Sequence, residues 1–160
     1  MSMPLISRAG GVTTRWLSIG ALVTAGAIAT SAQVDQSGST LTLNVHVDGF
    51  KNADGAVGIA LWSAARGFPE EIEHALASTY ATIQDGVAVA GFGQLELGTY
   101  AITVYHDKND NRRFDKNWLG MPKEAWGVSN NVRPRLRAPR FAEAMLDLEV
   151  GEQLVEIRVD

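Results

Sequence analysis

The stretch that decides the fold is LTLNVHVDGFKNADGAVGIALW, residues 41–62. Apolar and polar residues alternate over residues 41–48, and a period of two is typical of a β-strand with one buried face. The alternation resumes over residues 57–61, after an Asp54-Gly55 pair that favours a tight turn. Two such strands with a turn signal between them predict a β-hairpin.

The same pattern recurs along the rest of the chain. A short helix is predicted only after Pro69, where glutamates occupy the first helical turn. The other runs predict strands, at residues 80–83, 87–92, 100–105, 141–150 and 155–159. Short strands at this spacing predict an all-β fold, an antiparallel Greek-key β-sandwich of about seven strands with one long ordered loop and one short helix.

The N-terminal segment has a different composition. Arg8 and Arg15 precede an apolar run at residues 16–29, and Thr30-Ser31-Ala32 supplies small residues for a cleavage site. This pattern predicts a secretory signal peptide over residues 1–32. A membrane anchor is the alternative, but the run is shorter than the roughly 20 residues that a spanning helix needs. The sequence thus predicts a periplasmic or secreted protein that does not span a membrane once the signal is removed.

The predicted mature chain has a flexible lead-in at residues 33–39 and a single domain at residues 40–160. Loss of residues 1–32 leaves 12 Lys and Arg against 18 Asp and Glu, a net charge of −6. That balance argues against nucleic acid as a partner, because phosphate binding needs a basic surface. The chain contains no cysteine, so no disulfide stabilises the fold. A domain of this length buries a sufficient core without one.

A long polar segment, residues 106–140, follows the strand at residues 100–105. A loop this long inside a compact domain is usually functional, so we predict that it is the functional surface. Counted from Asp107, side-chain oxygens occupy the first, third, fifth and ninth positions, which is the spacing of the ligands in a calcium-binding loop. The metal ligands predicted from this spacing, with one added carboxylate, are Asp107, Asn109, Asn111, Asp115 and Glu124.

The segment departs from an EF-hand at two positions. Arg112 stands at the sixth position, where a sharply turning glycine belongs, and Trp118 stands at the twelfth, where a bidentate glutamate belongs. The alternative is a metal-free loop, because Asp and Asn side chains also bond the nearby backbone in Asx turns. Both interpretations stay open at this point, and Ca²⁺ is the only cofactor that the sequence indicates.

Two quoted segments, YAITVYHDKN at residues 100–109 and DKNWLGMPKEAWGVSNN at residues 115–131, resemble a known family. The chain is similar to the bacterial proteins of the domain-of-unknown-function family DUF2141, with the pattern G-x-Y-A-x-x-x-x-H-D-x-N-x-N-G-x-x-D followed by G-x-P-x-E-x-x-G-x-S. The resemblance covers roughly residues 40–160. It implies an exported, prealbumin-like (transthyretin-like) sandwich and no established activity. Arg112 replaces the family's usual glycine.

Two tryptophans in the long segment indicate a ligand surface. Trp118 and Trp126 would stack on a sugar or a peptide, with His106 and Ser129 beside them. The alternative is a local mini-core in which the tryptophans pin the segment to the sandwich. The predicted partner is an envelope protein or a glycan.

The primary hypothesis is therefore a non-enzymatic, exported binding or structural module with no catalytic residue assigned, in which either Asx turns or a calcium ion orders the long segment. The alternative is a hydrolase that uses His106, Asp107 and Glu124. It requires these three side chains to converge in one pocket. No nucleophile motif supports it, because Ser129 lacks a G-x-S-x-G context.

Overall fold

The structure, a computed structural model, describes residues 41–160, and within them it has nine β-strands, one α-helix and two 3-10 turns. The strands are β1 Leu41–Asp48, β2 Ala56–Trp62, β3 Ala77–Ala81, β4 Ile83–Gln84, β5 Val87–Leu95, β6 Gly98–Asp107, β7 Trp126–Val128, β8 Leu146–Leu148 and β9 Gly151–Arg158. The α-helix, α1, is Phe141–Ala144, and the 3-10 turns are Ile72–His74 and Ser129–Asn131. The predicted signal peptide and lead-in lie outside the described residues.

The strands form two sheets. The first has the order β4-β5-β1-β9, in which β1 and β9 are parallel and the other pairs are antiparallel. The second has the order β3-β2-β6, and β7 and β8 both pair with β6. β7 joins the C-terminal half of β6, where Thr103 faces Val128, and β8 joins the start, where Gly98 faces Leu148. The long polar segment therefore leaves the end of a central strand.

The main core lies between the two sheets. Leu43 and Val45 of β1 contribute from the first sheet, and Ile59 of β2 and Ile102 of β6 contribute from the second. All four are nearly inaccessible to solvent, as the period-two pattern requires of one strand face. The predicted all-β sandwich is confirmed, with nine short strands in the described residues where about seven were predicted.

A smaller apolar layer covers the outer face of the second sheet. Trp62 and Ala101 lie under it, and Ala144 of α1 and Phe141 pack on them. The Trp62 indole N–H donates to the Thr103 hydroxyl at 3.0 Å. β2 is consequently buried on both faces, which is why its residues are apolar almost without interruption.

The predicted hairpin between β1 and β2 is wrong. β1 pairs with β5 and β9, and β2 pairs with β3 and β6, so the two strands belong to different sheets. Residues 49–55 cross between the sheets, beginning at Gly49 with a φ of 91°. Alternation indicates only that one face of a strand packs against the core. Two hydrogen-bonded neighbours in one sheet and two strands that face each other across a sandwich both show this pattern, so alternation does not distinguish them.

The strand predicted over residues 141–150 is wrong in its first half. Residues 141–144 form α1, because the Glu143 carboxylate accepts the backbone N–H of Arg140 at 2.8 Å and closes the helix start. The second half is confirmed as β8. The helical segment predicted after Pro69 is the single 3-10 turn Ile72–His74. No helix within residues 41–160 is long and apolar enough to cross a membrane.

Candidate functional site

The end of β6 delivers two fully buried polar residues, His106 and Asp107, to the start of the polar segment. Consecutive residues of a strand point to opposite faces, so their side chains separate. The His106 Nε2–H donates to the carbonyl of Asp54 at 2.7 Å, and the ring packs edge-on against Phe50. Its Nδ1 has no hydrogen-bond partner among residues 41–160. His106 thus ties β6 to the crossover between the sheets.

Asp107 fixes the turn that follows β6. One carboxylate oxygen accepts the backbone N–H of Asn111 at 3.1 Å, and the other accepts that of Arg112 at 2.6 Å. Two backbone N–H groups thus satisfy the oxygens of a carboxyl group that is buried away from water. Asp107 therefore holds the chain in a reverse turn immediately outside the sandwich.

Asparagine side chains continue this turn. The Asn109 side-chain oxygen accepts the Asn111 backbone N–H at 3.2 Å, and the Asn111 side-chain oxygen accepts the Arg113 backbone N–H at 2.8 Å. Their amide N–H groups then donate to the Asp115 carboxylate, from Asn109 at 2.9 Å and from Asn111 at 3.2 Å. These are Asx turns in series, and protein groups alone satisfy them.

Arg112 adopts the left-handed conformation that a glycine takes most readily, with a φ of 59°. Arg112 therefore occupies a backbone conformation that a glycine at this position would also adopt. Tyr80 supports Arg112 from β3: its hydroxyl donates to the Arg112 carbonyl at 3.1 Å, and the guanidinium carbon lies 5.4 Å from the centre of its ring. Tyr80 also shares a 2.8 Å hydrogen bond with Tyr105. Burial and this bond raise the pKa of Tyr105.

Glu124 joins the two halves of the segment. Its carboxylate accepts the Asp115 backbone N–H at 3.0 Å, and only 7% of the residue is exposed. Burial raises the pKa of Glu124, and the nearby charges of Asp107 and Asp115 add to the shift. Hydrogen bonds from the backbone of Asp115 and Lys108 act in the opposite direction. Glu124 is therefore a buried carboxyl group that holds the backbone of the segment at Asp115.

The five predicted calcium ligands are of the correct chemical type, and groups of the protein itself already bond their oxygens. The side-chain oxygens of Asp107, Asn109 and Asn111 accept backbone N–H groups, and the two amides direct N–H groups, not oxygens, at Asp115. Within residues 41–160, the only three His, Asp or Glu side chains close enough to share one ion are elsewhere, at Glu71, Glu73 and His74.

The middle of the segment forms a tight turn with an apolar surface, residues 117–121, which we name the apolar tip. The Asn117 side-chain oxygen accepts the backbone N–H groups of Leu119 at 2.9 Å and Met121 at 3.0 Å. The Asn117 backbone N–H donates to the Met121 carbonyl at 2.8 Å. The turn presents Trp118, Leu119 and Met121 to solvent, with exposed fractions of 90%, 64% and 58%. Three large apolar side chains are thus held outside any core.

Trp126, in contrast, belongs to the packed layer on the second sheet. It is half-buried and, like Val132 and Phe141, packs against the buried residues of that layer. The Arg133 guanidinium lies 5.5 Å from its ring centre and donates to its carbonyl at 3.1 Å. The two tryptophans therefore differ: Trp126 has a mini-core environment, whereas Trp118 is open to solvent.

Ser129 lies inside the fold, with no exposed surface. Its hydroxyl accepts the Ile102 backbone N–H at 3.0 Å and donates to the Ala144 carbonyl. The adjacent Asn131 accepts the Arg158 backbone N–H at 2.8 Å. The Ser-Asn-Asn sequence at the end of the motif thus fastens β6, α1 and β9 together. Asn130, with a φ of 61°, makes the turn between these contacts.

The structure brings some predicted site residues together and separates others. His106 and Glu124 line a surface depression of about 220 Å³, which we name the lysine depression. Its other lining residues are Lys51, Lys108, Pro122, Lys123, Ala125 and Asp160. Asp107, Trp118, Trp126 and Ser129 are not part of this lining. The sequence did not indicate the role of Lys51, which arrives from the crossover, nor that of Asn117, although an Asn before a Gly-containing turn was an available signal.

The fold and segment together define a class: a small β-sandwich domain whose central strand leads into a polar segment closed by Asx turns and a buried glutamate. More particularly, the chain belongs to the family described as "Uncharacterized protein conserved in bacteria (DUF2141)", whose model matches residues 45–156. This confirms the family that the quoted motifs indicated. Neither a curated protein nor a solved structure matches the chain significantly.

Proposed function

We propose that this chain is an exported binding module whose segment 106–140 binds a component of the bacterial cell envelope. The observation that carries the proposal is the 90% exposure of Trp118 on a turn that the Asn117 side chain closes with two hydrogen bonds. Contiguous apolar groups on a soluble surface mark interaction sites. Because the turn is already ordered, binding does not incur the entropy cost of ordering it, which favours affinity.

The order of this surface, in our proposal, comes from hydrogen bonds within the protein. Asp107, Asn109 and Asn111 each accept backbone N–H groups at distances of 3.2 Å or less. Buried Glu124 adds a further bond from the opposite side of the segment. A calcium ion is therefore not needed for the shape of the loop.

The geometry gives less support to the hydrolase alternative. A catalytic histidine needs a carboxylate to orient it and access to substrate. His106 is fully buried and donates to a backbone carbonyl, whereas Asp107 points to the other face of β6 and holds backbone N–H groups. Asp107 therefore does not orient His106, although His106 and Glu124 line the same depression.

The proposal is tested by sedimentation of the protein with isolated bacterial envelopes. Trp118→Ala should weaken binding by about tenfold or more, because the lost apolar contact is that of one of the largest side chains. The thermal midpoint of Trp118→Ala should equal that of the parent, because the Trp118 side chain is exposed and its removal leaves no cavity. Leu97→Ala is the matched control, since Leu97 is 58% exposed and lies outside the segment. Equal envelope binding by Trp118→Ala and the parent would overturn the proposal.

A further inference from the structure

We infer that the apolar tip and the lysine depression form one docking surface for a membrane that contains anionic phospholipid. The inference rests on the proposed function and names the partner of that same segment. Two independent features carry it, the exposed apolar side chains and a local excess of positive charge beside them.

The apolar tip has the composition of a membrane-interface anchor. Trp118 is the most exposed of its side chains, and tryptophan favours the boundary between lipid headgroups and acyl chains. Leu119 and Met121 are flexible apolar groups of the kind that enter the acyl region. The tip is a tight five-residue turn whose large apolar side chains face solvent, so they are available to enter a fluid surface.

Positive charge lies directly beside the tip. Residues 108–123 contain five Lys and Arg against two Asp, although the whole chain has a net charge of −4. The three lysines that line the lysine depression, Lys51, Lys108 and Lys123, are solvent-exposed, and none forms an ion pair within residues 41–160. Pro122 and Lys123 follow the tip directly in the chain and also line the depression, so the two features adjoin.

The acidic groups at the depression are already engaged. Arg133 pairs with the Asp160 side chain. Glu124 is nearly buried and accepts the Asp115 backbone N–H. The three ammonium groups are therefore free to meet lipid phosphates, and each basic residue near an anionic membrane adds to its attraction.

A neutral glycan would make no use of the lysines, and a protein pocket for the tip would leave them at its rim without a defined role. Anionic lipid uses both features at once, because its phosphates lie at the depth where lysines reach and its acyl chains lie just below. This complementarity of charge and polarity is the reason that we commit to a lipid surface.

The test is sedimentation of the full chain with two kinds of vesicle, phosphatidylcholine alone and phosphatidylcholine mixed with phosphatidylglycerol. All proteins carry Trp16→Phe and keep the other residues of 1–40, so any binding through the apolar N-terminal run is common to every sample. Trp118→Ala should reduce partitioning into mixed vesicles by about tenfold. Lys108→Gln and Lys123→Gln should each reduce it about fivefold at low salt. Arg66→Gln is the matched control, because Arg66 is exposed and lies outside both features.

A fluorescence readout identifies the inserted residue. Binding to mixed vesicles should shift tryptophan emission to the blue, and brominated lipids should quench it. Trp118→Phe should abolish both signals while binding is retained, since phenylalanine keeps the tip apolar. The inference would be overturned if Trp118→Ala and its parent bound the vesicles equally well. It would also be overturned if Trp118→Ala lost the same amount of binding on both kinds of vesicle and the loss did not depend on salt.

The two proposals fail in different ways. If Trp118→Ala loses envelope binding but binds both kinds of vesicle as well as its parent does, the lipid inference is wrong, and the partner is an envelope protein or glycan. If Trp118→Ala changes neither envelope binding nor vesicle binding, both proposals are wrong.

Discussion

The hydroxyl of Ser129 accepts a hydrogen bond from the backbone N–H of Ile102 at 3.0 Å and donates one to the carbonyl of Ala144. These two bonds join β6 to α1 at a point that solvent does not reach. Ser129, which the sequence analysis assigned to a ligand surface, thus connects β6 and α1 inside the fold.

Ser129→Ala should destabilise the protein by about 2–4 kcal/mol, because it leaves a buried N–H and a buried carbonyl without partners. Urea unfolding followed by circular dichroism measures the loss. The control is Ser63→Ala, at an exposed serine, which should change stability by less than about 0.5 kcal/mol. A Ser129→Ala protein as stable as the parent would contradict the role that we assign to this hydroxyl.

Arg112 has a φ of 59°, and a residue with a Cβ is strained there by roughly 1 kcal/mol relative to glycine. Arg112→Gly should therefore be more stable than Arg112→Ala by about 1 kcal/mol. Both variants lose the contact of the guanidinium with Tyr80, so comparing them isolates the backbone effect.

The neighbouring Arg113 supplies the control for this comparison, because its φ is not positive. There the order should reverse, with the alanine variant more stable than the glycine variant. Thermal melts of the four proteins measure both differences. The same order at the two positions would show that Arg112 does not hold the left-handed conformation.

Glu124 should make stability fall as pH rises. Burial raises its pKa above the ordinary value of 4.5, so the folded protein holds the proton more tightly than the unfolded chain does. The stabilising contribution is complete below that ordinary value and is lost as pH increases through the raised pKa of the folded state.

Glu124→Gln should remove this dependence, because glutamine accepts the Asp115 backbone N–H without ionising. The difference in free energy of unfolding between variant and parent should shift in favour of the variant as pH rises from 4 to 7, measured by urea unfolding at each pH. Glu149→Gln, at an exposed position, is the matched control. A difference that stays constant with pH, or that shifts in the parent's favour, would contradict the buried, proton-retaining carboxyl.

Calcium should leave the thermal midpoint unchanged, because hydrogen bonds within the protein already use the oxygens of the predicted ligands. If the protein bound calcium, a free calcium concentration of a hundred times the dissociation constant would add about 2.7 kcal/mol to the free energy of unfolding. For a domain of this size, that would raise the thermal midpoint by several degrees. The measurement is a melt in excess calcium and in chelator.

A calcium-dependent rise that Asp115→Ala abolishes would contradict this expectation and assign the ion to the loop. A rise that persists in Asp115→Ala would place the ion elsewhere, and Glu71→Gln then tests the exposed cluster of Glu71, Glu73 and His74.

Sequence alone was sufficient for the parts of the molecule where local pattern and burial coincide. The alternation at Leu43 and Val45 marks a strand face that the structure buries, and Tyr100 and Ile102 face the same core as predicted. The quoted motifs were long enough to indicate the family. The spacing of Asp and Asn likewise predicted the Asx turns that the structure shows, whereas calcium binding stays a prediction.

The sequence did not determine which surfaces meet. β1 and β2 have the same alternation whether they pair or face each other, so only tertiary contacts placed them in different sheets. Trp118 and Trp126 are of the same residue type and lie in the same segment, yet Trp126 packs against the layer on the second sheet and Trp118 is exposed to solvent. Lys51 joins Lys108 and Lys123 only because the crossover passes the end of β6. Local periodicity encodes a strand and its buried face, whereas partners distant along the chain are chosen by packing of the whole domain.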